Sequence, residues 1–234
     1  MDHVLVACGG NGERWGKYLG VPKPLIRLEG ETLVHRTVRL VRELVPPVAL
    51  VLVVGTDSRL NAIGAKLAAP VYSDPPCGLD KLCGHLWSGT GRTVLLWGDT
   101  YYTEAALRTI LSPQETEARF FGRNVPSEYS GKDGPELYAL AMSPTGAALV
   151  RRGMNECRYL SARGEAGDRL CLWDVYAAVG GHGALLYCSN RYFTLVHDWT
   201  EDFDSPSCYD AWTSRRLSAG FAQDDSQYAP TEET

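Results

Sequence analysis

The chain has 234 residues, 44% of them hydrophobic and 22% charged, enough for one large α/β domain with a substantial core or for two small ones, and with no long polar linker or charge block to divide it one domain is expected. Its 28 acidic and 23 basic residues give a formal charge of −5, which argues against a broad nucleic-acid footprint because that needs a basic face. The longest apolar run, residues 48–54, falls far short of the roughly 20 residues of a membrane span.

In chain order, Val4, Leu5, Val6 and Ala7 read as a short buried strand that empties into Gly9-Gly10-Asn11-Gly12-Glu13-Arg14. Glycines at 9, 10 and 12 let the backbone approach a ligand and turn main-chain N–H groups toward phosphate oxygens. Two familiar phosphate loops do not fit. A P-loop ending at Gly16-Lys17 would need its first glycine at Asn11 and its Ser or Thr at Tyr18. A dinucleotide fingerprint starting at Gly10 would place its third small residue at Trp15.

Residues 31–45 carry Leu33, Val34, Val38, Leu40, Val41 and Leu44 at near-helical spacing and stop at Pro46-Pro47, predicting a helix. Residues 48–54 predict a strand, 58–67 a second helix, 70–72 a short strand and 79–87 a helix. A strand at 93–97 and a helix at 103–111 follow. The region 113–135 holds a strand at 118–122 and then a polar stretch ending in Lys132-Asp133-Gly134-Pro135. Next come a strand at 136–142, a helix at 144–152 with proline in its first turn, and a helix at 170–179. Strands at 183–187 and 192–196 and a helix at 206–217 complete the domain, read as 1–217. Residues 218–234 are polar and predict a disordered tail. Near-continuous apolar strands alternating with helices imply parallel strands covered on both faces. Ligands of such sheets sit outside the carboxyl ends of the strands, where residues 9–14 and Gly98-Asp99 fall.

Cysteines at 8, 77, 83, 157, 171, 188 and 208 form no C-x-x-C pair, and no histidines fall at H-x-x-x-H spacing, so reduced thiols and no common zinc site are expected. The chain enters its first strand without a basic region or an apolar stretch of signal length, so no signal peptide is read and a reducing cytoplasm is the expected compartment.

Residues 9–14 with Pro22-Lys23-Pro24-Leu25 resemble the N-terminal signature of the nucleotidyltransferases that make nucleoside-diphosphate sugars and related activated compounds. VLLWGDTYY at 94–102 resembles that family's strand ending in Gly-Asp, and WTEDFDSPSCY at 199–209 resembles its C-terminal D-x-D-[TS]-P segment. These elements stand in the family's order from residue 4 to 209. The resemblance implies a single three-layer α/β/α domain with a mainly parallel central sheet, of the nucleotide-diphospho-sugar transferase type. It also implies magnesium-dependent transfer of a nucleotidyl group from a nucleoside triphosphate to a phosphorylated acceptor, first of all a sugar 1-phosphate, with release of pyrophosphate.

That chemistry explains the residue types. A phosphate monoester has its second pKa at about 6, so the nucleophile is already charged and no strong base is needed. What is needed is positive charge against two polyanions: backbone N–H groups, an arginine, a lysine and a divalent cation. The resemblance implies that Ala7, Cys8, Gly9, Gly10, Asn11 and Gly12 line the nucleotide, with Arg14 on the departing β- and γ-phosphates. Lys23, fixed between two prolines, is implied at the α-phosphate and the incoming acceptor. Asp99, with Asp202 and Asp204 on one side of an extended segment, is the implied magnesium set. Asp99 has a rival role as cap of the helix at 103–111, although Thr103 stands closer to it. Lys132 and Glu136 are weaker candidates for the acceptor phosphate and a sugar hydroxyl, and Asp80 and Lys81 fall where the family reads the base. Trp97, Tyr101, Tyr102 and Trp199 read as core or wall residues, or else as an aromatic cage for a choline phosphate acceptor. Two other functions stay open: a glycosyltransferase on the same fold, whose donor has no pyrophosphate for Arg14 to hold, and a non-catalytic nucleotide-binding regulator.

Overall fold

The computed structural model describes residues 1–9, 14–16, 18–74, 76–113, 117–165, 170–181 and 191–221. In chain order its strands are β1 (His3–Ala7), β2 (Arg27–Leu28), β3 (Glu31–Thr32), β4 (Leu50–Val54), β5 (Lys66–Ala68) and β6 (Thr93–Trp97), then β7 (Thr100–Tyr101), β8 (Ala118–Arg123), β9 (Glu136–Met142), β10 (Phe193–Leu195) and β11 (Glu201–Asp202). Its helices are α1 (Leu33–Leu44), α2 (Glu104–Leu111), α3 (Pro144–Ala162), α4 (Leu172–Gly180) and α5 (Pro206–Ser218).

Among the described residues the main sheet has seven strands in the order β10-β8-β9-β6-β1-β4-β5. All run one way except β9, which is antiparallel to both β6 and β8. Alternate residues of each strand serve opposite faces. On one face Val4, Val6, Val51, Val53, Val94 and Leu96 meet Val34, Val38 and Val41 of α1 and Leu107 and Ile110 of α2. On the other, Leu5, Leu52, Leu95 and Leu140 meet Val150 and Met154 of α3 and Val175 and Tyr176 of α4. Burial on both faces is why these strands read as unbroken apolar runs. The result is the expected three-layer α/β/α arrangement. Among the described residues no helix is long and apolar enough to cross a membrane.

Several elements differ from the expectation. Residues 58–67 form a single 3₁₀ turn (Ser58–Leu60) and then β5, because the outer edge of β4 takes a strand partner, Leu52–Val54 pairing with Lys66–Ala68. No strand forms at 70–72, and 79–87 is two 3₁₀ turns separated by Cys83 in a left-handed conformation (φ +54°). Helix α3 runs ten residues past 152 to Ala162. Gly153, just past the expected end, is where α3 lies against α4: a Cβ there would sit 3.3 Å from Val179 Cγ2 and 3.4 Å from Ala178 Cβ. The expected strand at 183–187 lies outside the described residues. At the start of the expected tail, Ser218 still belongs to α5, and the Phe221 ring lies 5.5 Å from that of Trp199. Residues 222–234 are outside the described set.

A third apolar cluster lies beyond the carboxyl ends of the strands. Trp15, Ile26, Leu28, Leu33, Tyr101, Phe203, Tyr209 and Trp212 are all buried in it. It joins the segment after the glycine loop to β7, β11 and α5, and so carries the residues described next.

Candidate active site

The carboxyl ends of β1 and β6 stand side by side, Ala7 opposite Trp97. The Gly98 N–H donates to the Ala7 carbonyl at 2.8 Å, and the Cys8 N–H donates to that of Val54 at 2.8 Å. The approach is tightest at Gly98, where a Cβ would lie only 2.3 Å from Cys8 Sγ and 3.1 Å from the Ala7 carbonyl oxygen. Glycine is therefore required before Asp99 for a packing reason. Burial, with repulsion from Asp99 and Cys83, pushes the Cys8 thiol far above its ordinary pKa. Gly9 follows, and a Cβ on it would come 3.7 Å from the Tyr72 hydroxyl, a neighbour the sequence did not reveal. Gly10, Asn11 and Gly12 lie outside the described residues.

Arg14 and Lys23 are each held by a buried neighbour. Trp15 is 3% exposed, and its Nε1 donates to the Val21 carbonyl at 3.0 Å. The bulk that rules out a dinucleotide fingerprint here serves as an anchor for the preceding arginine. The Arg14 side chain stays 59% exposed and reaches Asp204 Oδ1 at 2.6 Å. Lys23 opens a 3₁₀ turn (Lys23–Leu25) whose Pro24 and Leu25 are buried, and its Nζ lies 2.6 Å from Asp99 Oδ2. Burial works against a charged Lys23, but Asp99, Asp202 and Asp204 outweigh it and hold its pKa above the ordinary value.

The aspartates arrive on a small antiparallel ribbon, β7 with β11, in which Asp202 faces Thr100. Phe203 between them is fully buried, so Asp202 and Asp204 project away from the third cluster. Ser205 then caps α5, accepting from the Cys208 N–H at 3.4 Å, with Pro206 in the first turn. Thr103 caps α2, accepting from the Ala106 N–H at 3.0 Å, so that helix is capped without Asp99.

Lys132 and Glu136 come to the same place. Lys132 Nζ contacts Glu136 and lies 2.6 Å from Asp204 Oδ2 and 3.3 Å from Asp202 Oδ2. Burial opposes its charge, but Asp202, Glu136 and Asp204 raise its pKa well beyond the lysine range. Asp202 shows the converse: burial, with repulsion from Asp99 and Glu136, raises its pKa well above the carboxylate range despite Lys132 and Lys23. For Asp204, burial is outweighed by Lys132, Arg14 and Lys23, and its pKa is lowered.

Beneath this group lies a buried polar network that the sequence did not disclose. Glu201 is fully buried, with its Oε1 3.5 Å from Arg123 Nη2. It accepts hydrogen bonds from the hydroxyls of Ser127 and Ser130, the latter at 2.9 Å. Arg123 Nε donates to the Tyr138 hydroxyl at 3.0 Å. The alternation in Glu201-Asp202-Phe203-Asp204 is the signal that points to it: Glu201 falls on the inner side with Phe203.

Glu136, Asp202 and Asp204 can each place one oxygen within 4.8 Å of the others. Asp202 Oδ1 is buried without a hydrogen-bond partner. An all-oxygen donor set with an orphaned carboxylate oxygen fits a hard divalent cation such as magnesium. Asp202 and Asp204 thus come together with Glu136, and Asp99 borders the group from β6 through its pair with Lys23.

Asp80 is occupied by its own loop: it accepts from the Ser73 N–H at 3.0 Å, the Ser73 hydroxyl at 2.9 Å and the Cys77 N–H at 2.8 Å. Lys81 places its Nζ 5.1 Å from the centre of the Trp97 ring. The aromatic residues do not enclose a common cage. Arg36 and Arg216 stack on Tyr101 at 4.2 and 4.7 Å, Tyr102 is fully buried, and Trp199 packs on Tyr129 at 4.4 Å.

Known proteins match this arrangement at the level of the fold. A nucleotidyl transferase from Methanothermobacter thermautotroptrophicus superposes with a TM-score of 0.59 at 16% identity, over 94% of this chain and 99% of that one. The inositol-1-phosphate CTP transferase from T. maritima gives 0.53 at 15% identity over 95% and 98%. The CTP:phosphocholine cytidylyltransferase from Streptococcus pneumoniae gives 0.54 at 14% identity over 93% and 97%. No curated protein sequence matches the chain. The profile described as MobA-like NTP transferase domain matches residues 4–202, so the chain belongs to that family and is a nucleotidyltransferase.

Proposed function

We propose that the protein joins the α-phosphoryl group of a nucleoside triphosphate to a sugar 1-phosphate in a magnesium-dependent reaction that releases pyrophosphate. A phosphate oxygen of the acceptor forms the new bond to the α-phosphorus as the bridging bond to the β-phosphate breaks, and that electron pair leaves with pyrophosphate. The observation that carries this reading is the convergence of Arg14, Lys23 and Lys132 on four carboxylates beyond the strand ends. These cations suit two polyanionic substrates, and each is held by a carboxylate that a metal would otherwise engage.

In this reading Arg14, exposed and on a fixed turn, takes the departing β- and γ-phosphates. Lys23 neutralises the α-phosphate and orients the acceptor. Ala7, Cys8 and Gly9, with Gly10, Asn11 and Gly12, line the nucleotide. Asp99, Asp202 and Asp204 would hold magnesium, with Glu136 completing the acidic group. When bound, the ion supplies charge neutralisation at the phosphates. The six described cysteines are all free, which suits work in a reducing cytoplasm.

The test is to incubate the protein with magnesium, each common nucleoside triphosphate and a panel of phosphorylated acceptors, and to follow pyrophosphate. Asp99→Asn should fold and lose about a hundredfold or more in turnover, as removal of a transition-state charge contact commonly does. Consumption of a nucleotide sugar without pyrophosphate chemistry would favour the glycosyltransferase. Triphosphate binding without turnover on any acceptor would favour the regulator.

A further inference from the structure

Lys132 sits where a cation bound to Glu136, Asp202 and Asp204 would sit. Its ammonium touches all of these carboxylates, at 2.6 Å from Asp204 and 3.3 Å from Asp202. A divalent ion such as magnesium lies about 2.1 Å from its oxygens, so one sharing these carboxylates would be nearly in contact with Nζ. Two cations at that spacing repel strongly in a half-buried site, and they exclude each other.

The backbone of Lys132 is not free to retreat. Its carbonyl accepts from the Ser127 N–H at 2.9 Å and its N–H donates to Ser130 Oγ at 3.3 Å. Both serines are tied to buried Glu201, the residue next to Asp202. The segment carrying the lysine and the ribbon carrying the aspartates are therefore one unit. Only the flexible four-carbon stem can swing.

We propose that Lys132 is a tethered counter-cation: its ammonium closes the acidic group in the unliganded enzyme, and a divalent ion enters by displacing it toward the substrate phosphates. This rests on the metal-dependent reading above. Exchange of this kind couples the two ligands. Metal alone meets competition from the lysine, and phosphate relieves it by giving the displaced ammonium a new partner.

The test is Mn2+ binding to the full chain without nucleotide, followed by the electron paramagnetic resonance signal of the free ion. Lys132→Met should bind Mn2+ at least about tenfold more tightly than the unaltered protein, since like-charge repulsion at close range is removed. Lys132→Arg, which keeps the charge, should bind it no more tightly. Adding Asp202→Asn to Lys132→Met should abolish the gain. Equal or weaker Mn2+ binding by a folded Lys132→Met protein, or tightening in Lys132→Arg as large as in Lys132→Met, would overturn the proposal. Tightening in a protein that releases no pyrophosphate with any substrate pair would uphold the displacement and place the failure in the reaction assigned above.

Discussion

Replacing Gly98 with alanine probes whether the close approach of β1 and β6 sets the position of Asp99. The added methyl would lie 2.3 Å from Cys8 Sγ, 3.1 Å from the Ala7 carbonyl oxygen and 3.4 Å from Cys8 Cα. Non-bonded heavy atoms of this size settle at about 3.5–4.0 Å, so the sulfur must move by more than about 1 Å. Overpacking of this kind costs about 1–3 kcal/mol. In a domain of this size each kcal/mol shifts the melting temperature by about 2–4 °C, giving an expected fall of about 2–12 °C. Cys8→Ala deletes the atom in the worst contact and leaves two that need shifts of only a few tenths of an ångström. The double variant should therefore recover more than half of the loss, a coupling that calorimetric melts of the four proteins would measure as a double-mutant cycle. Turnover should fall in Gly98→Ala even where the protein is folded, and return with the second substitution. An unchanged melting temperature, or no recovery on adding Cys8→Ala, would refute the reasoning.

Arg14→Ala should slow chemistry and weaken triphosphate much more than monophosphate, whereas Lys23→Ala should also weaken the acceptor; equilibrium binding with single-turnover kinetics separates the two. Asp202 has a raised folded pKa, so in metal-free protein its contribution to stability falls as pH climbs above the ordinary carboxylate value. Asp202→Asn should then melt higher than the unaltered protein in EDTA at about pH 8, by a margin that shrinks toward about pH 4; a lower melting temperature at the alkaline end would contradict this. Truncation after Phe221 should leave the melting temperature within about 1–2 °C, as removal of so polar a segment implies. Truncation after Leu217 should lower it further, because Phe221 meets Trp199 edge to face and lies under the Arg216 guanidinium 4.5 Å away; equal melting temperatures for the two truncations would remove that role.

The strands that carry the site are legible in the sequence because burial on both faces leaves them no polar alternation, as in Val4–Ala7 and Thr93–Trp97. Asp202 and Asp204 are legible too, since spacing by two fixes their side once the segment is extended. The errors share a different cause. Whether residues 58–67 coil into a helix or pair with β4 depends on an unfilled sheet edge, which no local pattern reports. Helix α3 outruns its expected end at 152, and the missing side chain of Gly153 just beyond serves a helix crossing. Lys132 reads in sequence as a loop lysine able to reach the acceptor phosphate, whereas its place among the carboxylates follows from the buried bonds of Ser127 and Ser130 to Glu201, 71 and more residues away.

The pair between Arg14 and Asp204 spans 190 positions of the chain. During synthesis, which proceeds from the N-terminus at about 5–20 residues per second, β1, β4 and β6 can find one another long before the second aspartate leaves the ribosome. Contacts of such high separation form late, since a long loop must be closed before they return any energy. A nascent chain halted short of residue 202 would thus already carry every strand of the main sheet while lacking Asp202 and Asp204, half of the four carboxylates, so the acidic group is completed by the last strand and the residues just after it.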